Sequence, residues 1–139
     1  MKNILKKVVT VLMLISMIGL ITACLDSTEA KVSMSVTPSS KTIKSGDYAT
    51  YKISVENRED VAVRPIVKIE PLNSEDSIYI TIPDDTIDKG MIKAGAGWTE
   101  PIQITAELIG DSVTYPLLVK MSINGEEIRE QEIKLTVIS

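Results

Sequence analysis

From Val32 onward the chain alternates between apolar and polar side chains. Val32, Met34 and Val36 are separated by Ser33 and Ser35, and Pro38 stops the run. Ala49, Tyr51, Ile53 and Val55 repeat the pattern against Thr50, Lys52, Ser54 and Glu56, and Asn57 to Asp60 turn the chain. A period of two puts every second side chain on one face of an extended segment, so each run predicts a half-buried strand. The pattern continues through Val61 to Ile69, where Pro65 marks a bulge or an edge, and through Ile78, Ile80 and Ile82. After a polar, glycine-rich connection it returns in Ile102, Ile104, Ala106 and Leu108, with Gly110-Asp111 closing the strand. Tyr115, Leu117, Val119, Met121 and Ile123 form the next segment, and Ile133, Leu135 and Val137 the last. Between these two stands Asn124-Gly125, the strongest short hairpin signal in the chain.

About seven strands joined by turn signals, with one apolar face each and no helical stretch, predict an all-β fold of antiparallel strands arranged as a two-sheet sandwich. A closed barrel is the competing architecture.

The opening residues follow a different rule. Lys2, Lys6 and Lys7 precede the uncharged, largely apolar run Val8 to Ala23, which has the layout of a secretory signal helix. Its sixteen residues fall short of the ~20 needed to span a bilayer. Because the positive residues precede the run, everything after it is expected to be translocated. The expected organisation is a signal peptide over 1–23, a polar tether over 24–31 and one folded domain over 32–139. Removing the signal leaves about 115 residues, enough for a single core.

Composition narrows the function. All 19 acidic residues follow the signal, which itself takes three of the lysines, so the remainder carries 12 basic side chains and a formal charge of −7. No basic patch for nucleic acid is expected from that balance. The chain has no histidine and one cysteine, Cys24, so no intrachain disulfide, His-dependent triad or His/Cys metal site can be built. We therefore expect no enzymatic activity and no cofactor. Phe is absent, which leaves Val, Ile, Leu, Met and four tyrosines to make the core.

What chemistry remains lies in connections. Glu75-Asp76 and the group Asp84, Asp85 and Asp88 flank the Ile78 segment, and loop carboxylates of this sort can hold calcium. Their spacing does not match an EF-hand, so solvated acidic loops are the default reading, with Asp84, Asp85 and Asp88 the weak metal candidates. In the Gly90 to Trp98 segment no helix follows the Gly-x-Gly, which therefore is not a nucleotide loop. Trp98 reads as a packing residue; alternatively, Trp98 and Tyr79 offer an aromatic platform for a carbohydrate or small ligand. Tyr115, near the start of its strand, is placed to act as a tyrosine corner.

Ile21-Thr22-Ala23-Cys24 resembles the lipobox of bacterial and some archaeal lipoproteins. That resemblance implies a diacylglyceryl group on Cys24, cleavage before it, and tethering to the outer face of the cell membrane, where two acyl chains hold stably. An uncleaved anchor is the alternative. The stretch Val36 to Asn57, with Tyr115 to Gly125 and Ile133 to Val137, resembles immunoglobulin-like repeats of the CARDB and NEW3 kind on prokaryotic surface proteins. It implies an immunoglobulin-like sandwich for spacing, adhesion or assembly, with a protein partner. An accessory subunit of an envelope complex is a further alternative.

Overall fold

The computed structural model describes residues 31–139. The expected signal segment 1–23, the lipid site Cys24 and the tether up to Ala30 lie outside the described residues.

Alternation decides which side chains go inside. In β3 (Ala49–Asn57) the residues Ala49, Tyr51, Ile53 and Val55 are all fully buried while their neighbours face outward. In β8 (Ser112–Ile123) Tyr115, Leu117, Val119 and Met121 do the same, and in β9 (Glu126–Ile138) so do Ile133, Leu135 and Val137. These three long strands supply most of the core, each large apolar side chain contributing about 1.5–3 kcal/mol by leaving water. β1 (Val32–Thr37) and β4 (Pro65–Pro71) complete its sides through Val32, Val36, Val67 and Ile69.

The strands form two sheets, not a closed barrel. One has the order β1-β3-β7-β5, where β7 spans Gly97–Ala106 and β5 is the pair Ile80–Thr81. The other has the order β2-β9-β8-β4-β6, where β2 is Ser40–Lys44 and β6 is Thr86–Asp88. This is the arrangement of an immunoglobulin-like sandwich, in which the first strand divides between the sheets. The division occurs at Thr37–Pro38, a cis peptide: β1 runs antiparallel to β3, and β2 then runs parallel to β9.

Turn chemistry sets the register of the longest pairing. Asn124 and Gly125 both hold positive φ, at 54° and 79°, and join Ile123 to its partner Glu126 in a two-residue hairpin. Such a turn matches the right-handed twist of the flanking strands. A bulge follows at once, since Met121 pairs with Arg129 but Ser122 with Glu127, which turns half-buried Ile128 towards the core.

Several expectations are corrected in detail. Among the described residues there are nine strands, because the alternation misses β2 and β6, and β2 pairs in parallel. The Ile78–Ile82 strand shrinks to Ile80–Thr81. Ser74–Ile78 instead forms a 3-10 turn, held by Asp76 N–H on the Asn73 carbonyl, Tyr79 N–H on the Asp76 carbonyl and the Ser77 hydroxyl on the Ser74 carbonyl. Local bonds of this kind compete with a ladder. Ile78 is left 75% exposed. The strand expected from Val61 starts only at Pro65, which has no N–H to give and sits at the first position. Val63 keeps a single bridge, to Ile92.

Candidate interaction surface

Strand direction gives the domain two ends. At one, here the base, β3 ends at Asn57, β7 begins at Gly97, and Lys31 enters with its carbonyl accepting the Arg58 N–H. At the other, the far end, lie the turn before β3, the connection from β4 to β5 and the connection from β7 to β8.

The base is organised by Asn57, the one fully buried polar residue among those described. Its side-chain amide donates to the carbonyls of Val61 at 2.8 Å and Ile92 at 3.0 Å, and its Oδ1 accepts the Glu59 N–H at 2.9 Å. Beside it Trp98 is half-buried, on the same parity of β7 as Ile102 and Ile104 and packed against the core. Its indole N–H is buried and finds no acceptor among the described residues. Trp98 also borders a shallow hollow of about 510 Å³ with Glu56, Arg58 and Thr99.

Tyr79 is half-buried at the far end, where its carbonyl accepts the Glu107 N–H and its neighbour Ile80 pairs with Ala106. The length of β7 therefore separates it from Trp98, roughly 25 Å at ~3.3 Å per residue. The structure does not bring these two rings onto one surface.

Nor do the three aspartates converge. Asp88 is taken by Arg64, with contacts of 2.6 and 3.0 Å, and by the Gly90 N–H. The Arg64 hydrogen bond, more than any other cause, holds its carboxyl below the ordinary aspartate range. Asp85 accepts the hydroxyl of Thr86, and Asp84 borders, with Asp88 and Glu100, a hollow of about 250 Å³ beside Pro101 and Ile102. Among the described residues no three His, Cys, Asp or Glu side chains are grouped to hold a metal ion.

Sheet edges are the usual route to pairing with another chain, and here those of the β1-β3-β7-β5 sheet are blunted. On β1 the N–H and carbonyl of Val36 are occupied by the side chain of Gln131. β5 pairs only with Thr105 and Ala106, so most of β7 has a strand on one side alone. The Asn57 N–H bonds the Ala96 carbonyl, which fixes the register and turns the backbone groups of Thr99, Pro101 and Gln103 outward. Pro101 has no N–H to offer there, and the Lys89–Glu100 ion pair at 2.9 Å crosses the same edge.

That leaves the far end. The Tyr115 hydroxyl donates to the Glu107 carbonyl at 2.7 Å, a tyrosine corner that fixes the β7–β8 connection. Burial raises the Tyr115 phenol above its ordinary value, and the negative surroundings of Asp76, Tyr79 and Glu107 push it the same way. The Leu72 N–H bonds the Pro116 carbonyl, which ties down the β4–β5 connection. A hollow of about 440 Å³ joins the parts, lined by Asp47, Tyr79, Glu107 and Leu108. The three far-end connections also carry Tyr48, Leu72, Ile78 and Ile109, exposed by 58, 44, 75 and 47%. The sequence reading singled out none of Tyr48, Leu72 or Ile109. Apolar residues inside turn segments were the available signal.

Several solved structures share the fold. The α2-macroglobulin of E. coli matches with 14% identity and a TM-score of 0.55, over 78% of this chain but 6% of that one. Salmonella α2-macroglobulin reacted with methylamine gives 12% and 0.54, over 78% of this chain and 7% of its own. The periplasmic chaperone SfaE gives 14% and 0.51, over 76% of this chain and 56% of its own. The chain thus spans a small fraction of the macroglobulins and just over half of the chaperone. No family model and no curated protein matches the sequence. At these identities the likeness establishes architecture: residues 31–139 form an all-β, immunoglobulin-like sandwich of the kind found in those proteins.

Proposed function

We propose that the chain is an exported lipoprotein, anchored by acyl chains on Cys24, whose immunoglobulin-like domain binds a protein partner at the outer face of the cell membrane and catalyses nothing. The observation that carries this reading is Ile21-Thr22-Ala23-Cys24 at the end of a charged-then-apolar leader. The fold adds support, since one structural neighbour is a periplasmic chaperone. The geometry is compatible: Lys31 enters the domain at its base, at the opposite end from the three far-end connections.

Without histidine, and with its only cysteine at the proposed lipid site, the chain has no means of building a His-dependent triad or a His/Cys metal site. Blunted edges and a patterned far end favour recognition through connections.

The test is to express the full chain in an exporting bacterial host, supply a clickable fatty acid, and measure the amino-terminal mass and detergent partitioning of the product. Lipid on Cys24 with Leu25 as the next residue, lost in Cys24→Ala, is the expected result. An unlipidated, freely soluble product from the unaltered chain would sink the anchoring. Co-purification after mild solubilisation would show whether the domain belongs to a standing envelope complex.

A further inference from the structure

The geometry points to the far end of the sandwich as the docking surface, and to an occupant of defined chemistry: a protein segment bearing basic and apolar side chains. The inference rests on the protein-binding half of the proposed function and adds the place and the partner's character.

Two observations converge. Of the seven large apolar side chains exposed among the described residues, four (Tyr48, Leu72, Ile78 and Ile109) belong to the three far-end connections. Scattered exposed apolar residues are ordinary, but a cluster rimmed by polar groups marks a contact site. The connections themselves carry charge of one sign, with Lys44 at the end of β2 beside the first of them. Residues 45–48, 72–79 and 107–111 hold Asp47, Glu75, Asp76, Glu107 and Asp111, with no lysine or arginine.

Among the described residues none of these five carboxylates is in an ion pair; Glu56, Glu70, Asp88 and Glu100 each face a cation, while Glu59, Asp60, Asp84 and Asp85 are as unpaired as the far-end acids. Exposed apolar side chains on connections that carry five carboxylates complement lysine or arginine beside aliphatic side chains, and disfavour an anionic lipid surface. The site is also held in place. Tyr115 on Glu107 and Leu72 on Pro116 fix two of the three connections, so little ordering is left to do on binding.

The test uses the full chain in detergent micelles and three short synthetic peptides: one of lysine and leucine, one with glutamate replacing lysine, and one with serine replacing leucine. Only the first is expected to bind well, and its affinity should fall as salt rises. Ile78→Asp, and separately Glu75→Lys with Asp76→Lys, should each weaken it by about tenfold or more, while Met91→Asp at the base leaves it unchanged. Ile78 is largely exposed, so its variant should keep the parent's thermal midpoint. No binding, equal binding of all three peptides, or insensitivity to the far-end substitutions overturns the proposal.

A second arm places a photo-crosslinking residue at Ile109 or at Met91 in native membranes. A product from Ile109 alone, with a different protein, fits the proposal. Products from Met91 alone, or a dimer of this chain, overturn the site and leave the protein-binding reading standing. No product from either position removes that reading itself.

Discussion

The side chain of Gln131 pairs with the main chain of Val36 as another strand would, its Nε2 donating to the Val36 carbonyl at 2.9 Å and its Oε1 accepting the Val36 N–H at 3.0 Å. Gln131 lies on β9 in one sheet and Val36 on β1 in the other, so the amide closes the seam between them just before the chain changes sheets. Gln131→Leu is expected to cost about 1–3 kcal/mol, because both backbone groups lose their partners. Gln131→Glu adds a sign. Its protonated form can still donate and accept, whereas the carboxylate faces the Val36 carbonyl with no proton. The folded pKa of that glutamate should therefore be raised, leaving the variant near parental stability below the ordinary glutamate range of ~4.3 and weaker as pH rises. Urea midpoints across pH check it; a variant that loses stability on acidification contradicts it.

Tyr51 gives the parent an alkaline limit. Its ring is fully buried, its hydroxyl donates to the Lys134 carbonyl at 2.7 Å, and burial pushes its pKa up to about 12. An unfolded tyrosine ionises near ~10. A raised folded value means the stabilisation is complete below pH ~10 and is lost as pH climbs to about 12. Tyr51→Phe should cost about 1 kcal/mol at neutral pH and make the alkaline decline shallower. Denaturant midpoints with tyrosinate absorbance would show both.

Gly97 is required by proximity. A Cβ there would collide with the Val55 carbonyl oxygen and lie 3.2 Å from the Glu56 Cα, both backbone atoms that cannot swing aside. Gly97→Ala should force β3 and β7 apart at the base and cost about 1–3 kcal/mol. A thermal midpoint equal to the parent's would show that the strands approach less closely than described.

Asn57→Ala should be severe for a residue at the opposite end of the domain from the proposed docking surface. It strands two carbonyl oxygens and one N–H in or near the core, for about 2–4 kcal/mol. Amide exchange at Val63 and Gly95, whose bonds surround Asn57, should accelerate before exchange in β8 or β9 does.

Much of this architecture is legible in the sequence, and the exceptions share a cause. Alternation marks β3, β8 and β9 because each carries three or more inward residues in strict succession. β2 and β6 each place only one apolar residue inside, Ile43 and Ile87, and a single residue has no period. The Ile78, Ile80, Ile82 series had the period but not the strand, since the Asn-Ser-Glu-Asp-Ser run before it satisfies its own backbone in a turn. The far-end surface was legible only in its acids. Tyr48, Leu72 and Ile109 sit in separate turns, and their placement at one end of the domain depends on where β2, β4 and β7 end. No local pattern encodes that.

The parallel seating of β2 against β9, beside the antiparallel seating of β1 against β3, has a mechanical consequence. Tension applied between Lys31 at the base and a grip at the far end runs along the strand axes. It must slide each ladder lengthwise, loading many hydrogen bonds together instead of peeling them one at a time. A domain strained from those two points resists as a clamp does, and yields far more readily when torn sideways.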